Sequence, residues 1–157
     1  MIDLHSHSTF SDGSLTPEQL VEAGVEAGLA ALALTDHDTV AGLPRFLAAG
    51  ESRPIRLVPG TELSVDCAHG VMHMLGYWMD VENPELVRQM EWIRNGREMR
   101  NREMLEKLNG LGFAMTWTDV QSFAGEDVVG RPHFAQVMLQ KGYAKDKNEV
   151  FDRWLGD

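Results

Sequence analysis

Histidine and acidic side chains recur at short intervals in the first half of the chain. His5 and His7 are two residues apart, in the segment Asp3-Leu4-His5-Ser6-His7. On a β-strand, residues two apart point to the same face, so both imidazoles would be available to one metal ion. A His-x-His pair by itself is more often an ordinary pair of strand residues, so the metal hypothesis depends on further ligands elsewhere in the chain.

Four more side chains that can bind metals lie beyond this pair. Asp12 lies just past the first predicted strand, His37 and Glu62 lie at the ends of the second and third, and His73 lies on the fourth. Each has an ordinary alternative, such as a turn cap for Asp12, and Asp36 and Asp38 could cap the next helix. These alternatives do not explain why histidine and acid coincide at three successive strand ends. A set of His, Asp and Glu without cysteine suits Zn, Mn or Fe better than a structural zinc site.

The elements that must position these ligands alternate between strands and helices. Strands are predicted over residues 2–7, 29–34, 55–58 and 71–77. A capping box at Thr16-Pro17-Glu18-Gln19 begins the first helix, and a shorter helix covers residues 44–49. The alternation favours a parallel α/β sheet or barrel, in which the carboxyl ends of the strands share one face and build the active site.

From Asn83-Pro84 onward the chain is predicted to be mostly helical. Residues 84–109 form either one long helix or two helices that are broken near Asn95-Gly96. If the helix is continuous, Arg97 and Arg100 fall on its apolar stripe, where they must be paired or face a polar cavity. If it is broken, both are solvated, and the pattern alone does not choose between the two. Further helices are predicted to begin near Thr118, Pro132 and Asp146.

The bulk properties of the sequence are those of an ordinary soluble protein. The chain has 157 residues, 43% of them hydrophobic and 24% charged, with a net charge of −10. No apolar run approaches the roughly 20 residues that span a bilayer, and Met1-Ile2-Asp3 leads into the first motif without a secretory signal. With a single cysteine, Cys67, these features predict a cytoplasmic protein without a membrane partner. Solubility alone explains the net charge, and converging carboxylates that need divalent cations are the alternative.

Four motifs in a fixed order closely resemble the PHP (polymerase and histidinol phosphatase) family, and they span residues 1–78. They are Asp3-Leu4-His5-Ser6-His7-Ser8-x-x-Ser11-Asp12-Gly13, Thr35-Asp36-His37-Asp38, Pro59-Gly60-Thr61-Glu62-Leu63-Ser64 and His73-x-Leu75-Gly76-Tyr77. The resemblance implies a distorted (β/α)7 barrel with two or three divalent metal ions, which hydrolyses phosphate esters with a metal-activated hydroxide. It implies no catalytic residue beyond the metal ligands.

The same resemblance assigns ligands to ions. In this assignment, His5 and His7 bind the first ion. Glu62 bridges the first ion and a second one, which His73 also binds. Asp12 and His37 bind a third ion. The family's remaining ligands, another histidine and a late Asp-x-His, are missing, since His133 is the only histidine after His73. We therefore predict a C-terminally truncated chain, with the N-terminal part of the barrel over residues 1–80 and a mostly helical insert over residues 81–157.

The second half resembles the insert of one branch of this family. That branch comprises small phosphatases of nucleoside 3′,5′-bisphosphates and exonucleases that trim short RNA or DNA from the 5′ end. An Arg-x-x-Arg-Asn run and the segment Gly130-Arg131-Pro132-His133 carry the resemblance. It implies that the substrate's other phosphate or its sugar is bound by Arg97, Arg100, Asn101, Arg131 and His133. From the pattern alone, an ordinary helix start is the simpler interpretation of the second segment.

Alternative interpretations come from inside and outside this fold. A histidinol phosphate phosphatase and a module of a DNA polymerase would share the barrel. The Gly-Arg-Pro-His insert counts against the first, and the helical insert so soon after His73, with its basic stretch, counts against the second. A non-catalytic metal-binding fragment is the third alternative, and the missing ligands support it. The expected partner is a small phosphorylated substrate, a nucleotide or short oligonucleotide, with no obligate protein partner. Trp92, Trp117 and Phe134 are predicted to pack in the core, with stacking on a base as the alternative, and His69 is predicted to lie in a turn.

Overall fold

The computed structural model describes residues 1–68, 70–125 and 128–156. Its first part contains the strands β1 (Ile2–Asp3), β2 (Ala31–Leu34), β3 (Arg56–Cys67) and β4 (Gly70–Tyr77). They form a curled half-barrel sheet in the order β1-β2-β3-β4. The first three strands pair in parallel, and β3 and β4 form an antiparallel hairpin. His69, which was predicted to lie in a turn, is outside the described residues.

Two helices, α1 (Pro17–Glu26) and α2 (Leu43–Ala49), pack on this sheet. The predicted capping box begins α1, because the side chain of Thr16 accepts from the backbone of Gln19 and the side chain of Gln19 accepts from the backbone of Thr16. The buried cluster beneath the helices consists of Val21, Leu32, Leu34, Leu43, Phe46 and Ile55. Burial of these side chains holds the strands whose carboxyl ends carry the candidate ligands.

The first strand is shorter than predicted. It ends at Asp3, so the prediction of a strand through His7 is wrong in its extent. The chain nevertheless stays beside β2, because the backbone N–H of Thr35 donates to the carbonyl of Ser6 at 2.9 Å. The hydroxyl of Ser6 donates to the carbonyl of Ala33 at 2.6 Å. The hydroxyl of Ser6 thus bonds the carbonyl of Ala33, which a backbone N–H would bond in a regular β-ladder. This explains why the backbone is irregular here.

The third strand is longer than predicted, because it continues through Pro59-Gly60 to Cys67. These two residues are typical of a strand end, but here they mark a change of partner from β2 to β4. A Cβ on Gly60 would lie 2.6 Å from the carbonyl oxygen of Gly76, so only glycine allows the two strands to approach this closely. Glu62 therefore lies inside a strand, just beyond the parallel pairing with β2.

The second part of the chain is helical, as predicted. It contains α3 (Pro84–Gly110), α4 (Trp117–Gln121), α5 (Arg131–Gln140) and α6 (Lys147–Val150), followed by a π-helical turn over Phe151–Leu155. The 27-residue α3 is continuous, so the alternative of a break near Gly96 is wrong. Asp146 caps α6 as predicted, whereas α4 is capped by Thr116 and not by Thr118.

The helical part has its own buried cluster, which includes Val120, Phe134, Val137, Met138 and Val150. This cluster is separate from the one beneath α1 and α2. The division supports the predicted boundary near residue 80, which stays a prediction. None of the helices in the described ranges combines the length and apolar character needed to cross a bilayer.

Candidate metal centre

The carboxylate of Glu62 lies at the centre of a cluster of imidazoles. Its Oε2 is 2.8 Å from Nε2 of His5 and 3.1 Å from Nε2 of His7, and its Oε1 is 2.7 Å from Nδ1 of His73. Burial raises the pKa of Glu62, but its hydrogen bonds with His5 and His73 help to outweigh that effect, and the net pKa is lowered. The buried carboxylate is therefore ionised, as a ligand for cations must be.

His37 lies between Glu62 and the second carboxylate, Asp12. Its Nδ1 is 3.7 Å from Oε2 of Glu62, and its Nε2 is 3.8 Å from Oδ2 of Asp12. The ring stacks on that of His7 with 4.7 Å between the centroids. Burial lowers the pKa of His37 to about 4, and the two carboxylates offset only part of that effect. The imidazole is thus neutral at pH 7, which is the form that binds metals.

The loop that carries Asp12 is anchored by the buried carboxylate of Asp36. The backbone N–H of Ser8 donates to it at 2.7 Å, the hydroxyl of Ser8 at 2.6 Å and the hydroxyl of Ser11 at 2.7 Å. Burial raises the pKa of Asp36 and these hydrogen bonds only partly oppose it. A Cβ on Gly13 would lie 2.2 Å from the carbonyl oxygen of His7, so the tight turn after Asp12 requires glycine.

The six predicted ligands form three overlapping groups whose donor atoms lie within 4.8 Å of one another. The groups are His5, His7 and Glu62; His7, Asp12 and His37; and His37, Glu62 and His73. Two donors of one ion are expected about 3–4 Å apart, since each metal–ligand bond is roughly 2.0–2.2 Å long. Nδ1 of His7 and Nδ1 of His37 are buried without a hydrogen-bond partner among the described residues. Buried nitrogens of this kind next to carboxylates fit divalent cations.

A cavity of about 170 Å³ adjoins these ligands. Asp12, His37 and His73 form part of its wall, and the helical part adds three arginines: Arg97, Arg100 and Arg131. Guanidinium groups bind phosphate oxygens through paired N–H donors. The cavity therefore combines candidate metal ligands with groups suited to an anionic substrate.

The other two predicted substrate residues are not part of this wall. The side-chain amide of Asn101 is buried and donates to the carbonyl of Val129 at 2.8 Å. The backbone N–H of Gly130 donates to Nδ1 of His133 at 3.0 Å, and burial lowers the pKa of that imidazole. Both side chains hold the segment that leads into Arg131.

Arg97 is engaged in a buried ion pair. Its Nε lies 2.6 Å from Oδ2 of Asp38, and the two side chains are 9% and 1% exposed. A second N–H of Arg97 donates to the hydroxyl of Ser64 at 3.0 Å, and the backbone N–H of Ser64 donates to Asp38 at 2.7 Å. Burial raises the pKa of Asp38, but Arg97 and Ser64 outweigh it and the net pKa is lowered. The pair ties α3 to the segment after β2, and the bond from Arg97 to Ser64 ties it to the strand that carries Glu62.

Comparison with known protein families identifies this arrangement. Residues 3–147 match the PHP domain, which is nearly the whole chain. The chain belongs to the PHP domain family.

The relatives that match nearly the whole of this PHP chain are named for nucleotide or RNA substrates. It is 36% identical over 160 residues to the 3′,5′-nucleoside bisphosphate phosphatase of Chromobacterium violaceum, covering 98% of the chain and 54% of that protein. It is 34% identical over 155 residues to the 5′-3′ exoribonuclease Rnm of Salmonella typhimurium, covering 98% and 53%. A structure assigned as a metal-dependent phosphoesterase, from Bifidobacterium adolescentis, matches with a TM-score of 0.89 and 32% identity, over 99% of the chain and 55% of that protein. The chain spans about half the length of the relatives it matches.

Several residues of this PHP chain have positions that the sequence did not predict. The sequence predicts helix capping for Asp36 and Asp38, whereas both side chains anchor segments around the site. Trp92 is 73% exposed, so the prediction that it packs in the core is wrong, while Phe134 is fully buried as predicted. Trp117 is partly buried against the helical cluster. Ser8 and Ser11 belong to the first motif, and their hydroxyl donors were the sequence signal for a buried acceptor such as Asp36.

Replacing Asp36 with alanine is expected to lower the affinity of the PHP centre for metal about 10–100-fold, as is usual when a partner behind a ligand is removed. The reason is that three donors of the Ser8–Ser11 segment lose their acceptor and release the loop that carries Asp12. Titration with Mn²⁺, followed by calorimetry, measures the change. Asp36→Asn keeps one acceptor oxygen and should lose less, and equal affinity in all three proteins would contradict the anchoring role.

Proposed function

We propose that the protein containing this chain is a metal-dependent phosphoesterase acting on nucleotides, either nucleoside 3′,5′-bisphosphates or the 5′ ends of short oligonucleotides. The observation that carries this proposal is the convergence of four imidazoles and two carboxylates beside a cavity with three arginines. Membership in the PHP family and relatives that are named for nucleotide and RNA hydrolysis support it.

The side chains of the centre prepare it for cations and for an anionic ester. When bound, two or three divalent ions such as Mn, Zn or Fe supply Lewis-acid stabilisation and a nucleophile at neutral pH. Glu62 and Asp12 provide the negative charge that holds cations, and the neutral imidazole of His37 provides nitrogen donors. Because the carboxylates hold the cations and the imidazole is uncharged, bound cations would present positive charge to the cavity, where the phosphate oxygens of the ester must lie.

The arginines are proposed to bind the part of the substrate that does not react. Arg100 and Arg131 line the cavity from two different helices, so together they can contact a second phosphate or the sugar. Asn101 and His133 are proposed to act indirectly, since they hold the backbone of residues 129 and 130 beside Arg131. Arg97 has a double role, because it faces the cavity while it is paired with Asp38.

The alternatives predict different substrates. A histidinol phosphate phosphatase is not favoured, because the relatives that match across the chain are named for nucleotide and RNA substrates. A non-catalytic metal-binding fragment would bind metal and release no phosphate. The two remaining substrate classes, mononucleotide and oligonucleotide, share the same centre.

The decisive experiment uses the full-length protein with Mn²⁺ and 3′-phosphoadenosine 5′-phosphate as substrate. We expect metal-stimulated phosphate release, which His7→Ala abolishes because His7 belongs to two of the three ligand groups. Absence of release with Mn, Fe and Zn would exclude the bisphosphate assignment. Release that persists in His7→Ala would exclude this centre as its source.

Arg100→Ala is expected to lower kcat/KM for the bisphosphate about 10–100-fold, because it removes a charge-assisted hydrogen bond that contributes roughly 1.5–3 kcal/mol. Turnover of a simple aryl phosphate, which lacks a second phosphate, should fall much less. Arg102→Ala is the matched control, since Arg102 lies on the same helix and pairs with Glu98 at the surface. Equal losses on both substrates would remove Arg100 from the substrate site.

A further inference from the structure

A second cavity of about 580 Å³ runs along α3 and shares part of its wall with the first. We call it the α3 groove and define it by Trp92, Gly96, Met99, Arg97 and Arg100. The two arginines also line the cavity beside the metal ligands. The groove and that cavity therefore adjoin each other at these two side chains.

The outer wall of the α3 groove is apolar and exposed. The side chain of Trp92 is 73% exposed and that of Met99 is 66% exposed. Because Trp92, Gly96 and Met99 are separated by four and three positions, they lie along one face of the helix. An indole held in solvent next to a polar site offers a flat surface on which a ring can stack.

Gly96 is a second and independent observation. It lies inside a continuous 27-residue helix, where glycine is the poorest residue after proline. A Cβ at this position would meet no atom within 4 Å, so nothing in the described residues requires glycine there. Its effect is to leave bare helix backbone between Trp92 and Met99, and this widens the groove for a flat ligand.

The charges of the α3 groove suit an anionic backbone. The carboxylate of Asp38 lies at its base, but it is 1% exposed and paired with Arg97 at 2.6 Å. The groove also shares the guanidinium of Arg100 with the metal cavity. Guanidinium groups bind phosphodiester oxygens, and a cavity of this volume lies within the range of about 300–1,000 Å³ usual for bound organic ligands.

We propose that the α3 groove binds the second nucleotide of a single-stranded oligonucleotide whose terminal phosphate lies at the metal ligands, with its base stacked on Trp92. The inference rests on the proposed phosphoesterase function and narrows its substrate class to chains of two or more nucleotides. Continuity with the metal cavity through Arg97 and Arg100 favours this occupant over an unrelated peptide. Base stacking on an aromatic side chain tolerates any sequence, so the groove would select for length and not for base identity.

The test compares kcat/KM for a 5′-phosphorylated trinucleotide with kcat/KM for 3′-phosphoadenosine 5′-phosphate in the full-length Mn²⁺ protein. The wild-type protein is expected to favour the trinucleotide, and Trp92→Ala to lower that ratio by about five- to 100-fold. Trp92→Phe keeps an aromatic face and should retain most of it. Gly96→Leu fills the bare stretch of helix and should also lower the ratio.

Two matched controls should leave the ratio unchanged. Trp78→Ala removes another exposed tryptophan, which stacks on Arg56. Gly110→Leu places the same side chain on the last residue of α3, where a Cβ also meets nothing within 4 Å. A fall in the ratio with either control would show a general effect of the substitution and overturn the proposal.

Binding of a phosphorothioate trinucleotide, measured without turnover, separates this inference from the proposed function. If the protein hydrolyses neither substrate but binds the trinucleotide through Trp92, the groove proposal holds and the hydrolytic function fails. If it hydrolyses the bisphosphate and Trp92→Ala leaves the ratio and the binding unchanged, the groove proposal fails alone. If Trp92→Ala lowers the melting temperature and both activities equally, the groove is filled by protein, which also overturns the proposal.

Discussion

Glu62→Gln will lower metal-dependent phosphate release by roughly 10³-fold or more, because a lost metal contact forfeits several kcal/mol of charge stabilisation. Glu62 belongs to two of the three ligand groups and is one of only two carboxylates among the six candidate ligands. Glutamine keeps the size of the side chain and its hydrogen-bonding capacity toward His5 and His73, but it removes the buried negative charge. Metal analysis of the purified variant should show lost metal together with lost activity.

A control for this substitution makes the same chemical change at the surface. Glu22 pairs with Arg53 at 2.7 Å, and both side chains are nearly half exposed. Glu22→Gln should therefore retain metal content and activity within about twofold, since exposed ion pairs contribute roughly 0–1 kcal/mol. Full metal content and full activity in Glu62→Gln would mean that Glu62 holds no metal, and the centre would have to be reassigned.

Asp38→Ala will lower the free energy of unfolding by about 3–5 kcal/mol, the usual cost of leaving one member of a buried ion pair alone. The substitution leaves the guanidinium of Arg97 buried without its carboxylate and takes the acceptor from the backbone N–H of Ser64. Such a loss is a large part of the roughly 5–15 kcal/mol that stabilises a typical domain. Urea unfolding of the variant and of the wild-type protein measures it.

Removing both charges together distinguishes the ion pair from a simple packing defect. The double variant Asp38→Asn/Arg97→Met should be more stable than Asp38→Ala, because it removes both charges together and the side-chain oxygen of asparagine still accepts from the backbone N–H of Ser64. Glu18→Ala breaks the exposed pair with Arg45 and should cost less than about 1 kcal/mol. If Asp38→Ala costs no more than Glu18→Ala, the buried pair does not stabilise the fold.

The sequence predicted the local signals of this fold well. Thr16 and Gln19 form the predicted capping box, and the apolar run that ends at Leu34 contains β2. Both signals depend on neighbours in sequence, and this makes them readable without a structure. The convergence of ligands was also predictable in outline, because the carboxyl ends of parallel strands share one face of a sheet.

Strand lengths were not predictable in the same way. Ser6 diverts a carbonyl of β2 to its own hydroxyl, and Gly60 accommodates the carbonyl of Gly76. Both effects come from residues more than ten positions away, so periodicity gave β1 too many residues and β3 too few. The hydrogen bonds of Asp36 could not be predicted for the same reason, since Ser8 and Ser11 reach its carboxylate only when the fold brings the two segments together.

The long helix shows how packing overrides a local signal. Gly96 favours a break, but its cost is about 1 kcal/mol, and burial of Met90, Asn101 and Leu108 at intervals along α3 outweighs it. Continuity of the helix then decides the environment of Arg97, which a broken helix would have left in solvent. The choice between a buried and a solvated Arg97 therefore depended on whether Gly96 breaks the helix.

All six candidate ligands occur between His5 and His73, ahead of the first residue of α3. A nascent chain therefore emerges from the ribosome with these six ligands before its helical part has emerged, by roughly 4–15 s at ordinary synthesis rates of about 5–20 residues per second. During that interval the sheet has few contacts beyond its own strands, α1 and α2. Metal taken up at this stage would contribute its binding free energy to folding, so the supply of metal during translation would affect the yield of folded protein as well as its activity.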